Sequence, residues 1–154
     1  MDKMPLINLA LQSFPESILL LLFGSGLFKR CPSIYRLLIG AALSSIISYF
    51  IRRLPFPYGV HALIGVAVLT LIFWLIFNLD FNQSLVASLA TLATLGAIEI
   101  ILLPVESHLL GLSRFSDAWP DPKLRLLMAI PELIILLLIT YLLYRDNRCF
   151  KGDL

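Results

Sequence analysis

The chain has 154 residues, of which 59% are hydrophobic and 14% charged, and its mean hydropathy is +0.91. A soluble domain carries roughly 25% charged residues, so the charges here are too few to coat a water-facing surface, and the class is an integral membrane protein. The length allows one helical bundle spanning 1–154 and no separate soluble domain, and a net charge of +2 is too small to point to nucleic acid.

The opening Met1-Asp2-Lys3-Met4-Pro5 lacks the basic region of a secretory signal, so the first apolar run is expected to be retained. A spanning helix needs about 20 apolar residues. The first candidate, Pro5 to Phe28, is interrupted at Phe14-Pro15-Glu16-Ser17. A proline lacks the helical N–H, so this is one kinked helix or a short piece followed by a helix starting at Pro15. The second candidate, Ser33 to Ile51, carries Gly40, Ser44 and Ser48 every four residues, a small-residue face that lets another helix approach.

A corner then follows, Arg52-Arg53-Leu54-Pro55-Phe56-Pro57-Tyr58-Gly59-Val60-His61, extended because residues before proline leave the helical region. The third candidate runs Pro57 to Phe77, with Trp74 placed for an interfacial belt. The fourth runs Gln83 to Val105. Its first half holds Ser84, Ala87, Ser88, Thr91 and Thr94, which predicts central packing. Glu106 to Pro122 reads as an interfacial connection punctuated by Gly, Ser and Pro. The fifth candidate, Lys123 to Tyr144, contains Pro131-Glu132. No period-two pattern of barrel-strand length occurs. The reading is an all-α membrane protein, a bundle of five transmembrane helices with proline-broken first and fifth helices and termini on opposite sides. Each side of this arrangement receives six Lys and Arg, so the positive-inside rule leaves orientation undecided. Cys31 and Cys149 allow a disulfide, but two inert or lipidated thiols are the expectation.

Charges inside membrane helices are costly and mark function. Glu16, His61, Glu99 and Glu132 are the intramembrane titratable groups. At about 1.5 Å rise per residue they lie ~16, ~6, ~8 and ~13 Å below the N-terminal face. All four therefore share one half of the bundle, with Arg53, Tyr58, Glu106, His108 and Asp121 at the rim, and a shared polar cavity opening on that face is expected. Such a group can bind a cation or amine, relay protons, or bind through a protonated acid. The bland alternative is that each acid locks helix packing. In Pro15-Glu16 and Pro131-Glu132, proline and an acid also suit a plain helix start. No HExxH, Walker A, GxSxG or GxGxxG occurs, and the histidines and cysteines lack metal-ligand spacing. The expectation is no enzyme activity, no metal and no cofactor.

The order Phe14-Pro15-Glu16-Ser17, Arg53-Leu54-Pro55-Phe56-Pro57-Tyr58-Gly59-Val60-His61, Glu99 with Leu103-Pro104, and Asp121-Pro122 followed by Leu126-Leu127 and Pro131 resembles the multi-helix membrane region of Firmicutes sensor histidine kinases, also seen as stand-alone small membrane proteins. The 154 residues hold no dimerisation helix, phosphoacceptor histidine or ATP-binding part, so the resemblance implies membrane sensing or partner binding without kinase activity. It also implies a plasma-membrane protein with an outside N-terminus and a cytoplasmic C-terminus. The leading expectation is a sensory or regulatory module that receives a small ligand, peptide or lipid signal and acts on a membrane partner or a second copy of itself. A transporter or channel subunit moving cations or protons along the carboxylates is the alternative, and a structural accessory subunit is the third reading.

Overall fold

The computed structural model describes residues 9–52, 54, 58–109 and 122–145. A π-helical stretch, Leu9–Ser13, runs into α1 (Phe14–Leu27), followed by α2 (Ile34–Arg52), α3 (Tyr58–Leu75), α4 (Phe81–Leu109) and α5 (Pro122–Arg145). Among the described residues there is no strand. Four of the helices hold stretches long and apolar enough to cross a membrane. The fifth, α3, is apolar over the shorter Gly59–Leu75.

Prolines shape these elements less than the sequence reading expects. Pro15 lacks an N–H for the fourth carbonyl before it, and a wide π turn immediately precedes it. Helical backbone nevertheless continues through Ser13 into α1. Pro131 and Pro104 each lie inside one uninterrupted helix. The fourth helix passes Pro104 and ends at Leu109, so Glu106 and His108 belong to a helix and not to the connection. At 29 residues, α4 is about 43 Å long, longer than a ~30 Å hydrocarbon core, so it tilts or projects beyond that core.

Neighbouring helices run antiparallel, and specific contacts fix their register. Ser45 Oγ of α2 lies within hydrogen-bond distance of the Ser13 carbonyl, at 3.2 Å, and of Ser17 Oγ, at 3.1 Å. A Cβ on Gly40, five residues earlier, would meet Leu21 of α1 at 3.1 Å. Thr70 of α3 and Ser88 of α4 share a 2.7 Å hydrogen bond. Tyr144 at the end of α5 lies 3.1 Å from Ser25 Oγ near the end of α1, so α1 and α5 are parallel. Leu9 and Arg145 therefore lie at opposite ends of the bundle.

The first helix, α1, is the central element, packing on α2, α4 and α5. In lipid, apolar contact alone gives helices little reason to associate, so close approach and hydrogen bonds hold them. Gly24 and Gly26 supply that approach. A Cβ at Gly24 would collide with the Phe73 ring, and one at Gly26 would lie 2.7 Å from Leu143. The main core joins Leu21, Leu37, Ala41, Leu69, Ile72, Phe73, Phe77, Leu79 and Ala87. The small residues of α4 pack as expected: Ser84, Ala87, Ser88 and Thr91 are fully buried. On α2 the small-residue face is rotated from the sequence reading. Gly40, Ala41 and Ser45 are buried, whereas Ser44 and Ser48 are half-buried. Large apolar side chains such as Ile34, Tyr35, Leu63, Ile100 and Ile101 point outward, as a lipid-facing surface requires. Trp74 is exposed at the end of α3, edge-on to Phe81 at 6.0 Å.

Cys31 is disulfide-bonded, which corrects the expectation of an inert thiol. Cys149, the other cysteine of the chain, lies outside the described residues, as do Arg53, Asp121 and the Pro55–Pro57 corner.

Candidate functional site

The acids are placed by one apolar cluster. Leu19 and Leu20 of α1, Ile98 of α4 and Leu136 of α5 pack together in the N-terminal half of the bundle. Residues four apart share a helix face. Glu16 is four residues before Leu20, and Glu132 is four before Leu136. Both carboxyl-bearing side chains therefore lie about one turn nearer the N-terminal end than this cluster, on the facing sides of two parallel helices. Glu16 is buried and Glu132 half-buried. Ser13 and Ser17 are buried beside Glu16 in sequence, so the start of α1 is a polar segment inside the bundle.

Glu99 differs from these two in exposure. It is exposed on α4. Gly65 of α3 faces Leu92 of α4, where a Cβ would lie 3.4 Å from Leu92 Cδ1. His61 is four residues before Gly65 and so starts on the face that α3 turns toward α4. Glu16 and Glu132 thus lie toward the α1–α5 contact, with His61 half-buried on α3 and Glu99 exposed on α4.

A third acid is buried instead. Glu106, expected at the rim, is buried with 8% exposure, and its Oε1 accepts no hydrogen bond among the described residues. It stands two turns beyond Ile98 on α4. Gln12 also buries an Oε1 with no hydrogen-bond partner there. An uncompensated buried polar atom is costly, so these two mark polar space near the N-terminal end. His108 is exposed at the end of α4. Tyr58 opens α3. Among the described residues no three His, Cys, Asp or Glu come close enough to hold a metal ion.

Toward the other end, the next layer on these helix faces is apolar. Leu136 is fully buried, and Leu19, Leu20 and Ile98 nearly so. The carboxylates therefore meet one apolar layer, beyond which Thr91 and Ser88 of α4 and Thr140 and Tyr144 of α5 are buried.

A second feature escaped the sequence reading. At the opposite end of the bundle a cavity of about 360 Å³ is lined by Arg30, Cys31, Pro32, Ser33, Arg36, Phe77 and Asn78. Two turns in left-handed conformation build it, with Lys29 at φ 54° and Asn78 at φ 53°. Lys29 stops α1: its N–H bonds Gly26 O at 3.0 Å, and the Arg30 N–H bonds Ser25 O at 3.1 Å. This pairing satisfies the last carbonyls of a helix. The cue in the sequence was the basic string Lys29-Arg30-Cys31-Pro32-Ser33 with Arg36 one turn later.

No family model, curated protein or solved structure matches the chain.

Proposed function

We propose that the protein is a five-span plasma-membrane sensory or regulatory module, which receives a cationic or hydrogen-bonding signal at its N-terminal end and passes it to a membrane partner through helix contacts. The observation that carries this reading is the pair Glu16 and Glu132 on facing sides of α1 and α5, backed by the Leu19, Leu20, Ile98 and Leu136 layer. A path for protons or cations needs polar groups through the full thickness of the bundle. Among the described residues the buried acids, Glu16 and Glu106, keep to one side of the apolar layer, which suits binding at one end. A ligand drawing α1 and α5 together there would move the far ends of both helices, which Tyr144 and Ser25 already couple.

The test is a comparison of flux with partner capture. Proteoliposomes under a pH gradient should show only background proton flux. Photo-crosslinking from lipid-facing Leu137 in native membranes should trap a partner, and Glu16→Gln with Glu132→Gln should change that yield. Proton flux that the same double substitution abolishes would overturn the reading in favour of a transporter or channel subunit.

Orientation is contested by two arguments. The family resemblance implies a cytoplasmic C-terminus. The disulfide at Cys31 is chemistry of an oxidising compartment and favours the reverse insertion.

A further inference from the structure

We propose that the cavity at the end of the bundle away from the acids binds the phosphate group of an anionic phospholipid. This site is independent of the Glu16–Glu132 reading and lies at the other end of α1.

Arg30 and Arg36 both line the cavity and are exposed. Neither forms an ion pair among the described residues. Lys29 and Arg145 stand at the same end of the bundle, and Asp80 is the acid there among the described residues. Asp80 does not line the cavity. Two guanidinium groups with no carboxylate lining the cavity among the described residues form a site for an oxyanion, which arginine grips through paired N–H bonds. Ser33 and Asn78 add neutral hydrogen-bonding groups to the wall.

Surroundings identify the anion. Ile34 and Tyr35 at the start of α2 are 70% and 73% exposed, and Trp74 and Leu75 at the end of α3 are 45% and 63% exposed. These four apolar side chains flank the polar cavity on the helix ends that build it. A soluble phosphate needs only the arginines. A phospholipid uses both features, with its phosphate in the basic cavity and its acyl chains along the apolar helix ends. Basic pockets between membrane helices at the interface are recognised sites for such headgroups.

The experiment is native mass spectrometry of the detergent-purified protein with phosphatidylglycerol or phosphatidylcholine at equal concentration. The parent should retain phosphatidylglycerol preferentially. Arg30→Gln with Arg36→Gln should lower that preference roughly tenfold or more, as expected for losing charge-assisted bonds. Arg36→Lys should lower it less, because the charge stays and the fork is lost. Arg145→Gln, at the same end but outside the cavity, should leave it unchanged. An unchanged preference in the double variant, or an equal loss in Arg145→Gln, would overturn the proposal. If the double variant fails to fold, Arg36→Lys decides: an undiminished preference overturns the site. Inorganic phosphate supplies the last arm. If phosphate alone raises the melting temperature and displaces the lipid, the cavity is a soluble-phosphate site and the lipid assignment is wrong.

Discussion

At the scale of single residues, the tightest constraint is at Gly24. Its missing side chain lets α1 meet α3 and α4, because an added Cβ would strike the Phe73 ring and lie 2.9 Å from Thr91 Oγ1. Phe73 and Thr91 are themselves fully buried and have nowhere to move. Gly24→Ala should therefore destabilise the protein by about 1–3 kcal/mol. Gly59 is the contrast, since nothing lies within 4 Å of its Cβ position. Gly59→Ala should be neutral or stabilising by up to about 1 kcal/mol, since alanine loses less backbone entropy in a helix. Thermal unfolding of both variants in the same detergent checks the pair, and equal melting temperatures would show that α1 does not need its glycine.

At the scale of elements, α2 shows why spacing alone mislocates a packing face. Gly40, Ser44 and Ser48 repeat every four residues, but the row Leu37, Ala41, Ser45 and Tyr49 has the same spacing. The buried face follows that second row, with Gly40 beside it, because residue size and spacing do not say which row meets a neighbour. Ser45 is the residue that bonds α1, through Ser13 and Ser17. Ser45→Leu should cost about 1–3 kcal/mol through overpacking and lost hydrogen bonds. Ser44→Leu should cost within about 0.5 kcal/mol, as a position off the contact. Resistance to unfolding in a titration with sodium dodecyl sulfate distinguishes them, and a larger effect at Ser44 would return the interface to the row of Gly40, Ser44 and Ser48.

At the scale of the molecule, antiparallel packing puts Leu9 and Arg145 at opposite ends, and the disulfide state of Cys31 bears on which end faces the cytoplasm. Arginines and lysines cannot choose, being balanced between the two sides. If the bond at Cys31 persists in cells, a C-terminal alkaline phosphatase fusion should be active, and an impermeant maleimide should label Cys31 only after reduction by an impermeant phosphine. If the kinase-like insertion holds instead, the fusion is inactive and external reagents leave Cys31 unlabelled with or without reduction. Either outcome also says which leaflet supplies the phosphate that meets Arg30 and Arg36.

The membrane class and the helical content were legible in the chain because they depend on local quantities, namely charge density and the length of apolar runs. The extent of α4 was less so: Pro104 reads as a stop, yet the helix passes it to Leu109. The site was legible only by depth. Counting residues places Glu16, His61, Glu99 and Glu132 in one half of the bundle, but depth does not say which neighbour each one meets. Glu99 and Glu106 show the limit most clearly. They are seven residues apart, and seven residues return a straight helix to within about 20° of the same face, so periodicity cannot tell them apart. The assembled bundle does, leaving Glu99 exposed and Glu106 buried. The basic cavity likewise joins the α1–α2 turn to the end of α3, from Arg30 to Asn78. That closeness exists only once α1 has drawn its partners in at Gly24 and Gly26, because a chain's hydropathy records how deep a residue sits and only packing decides what it faces.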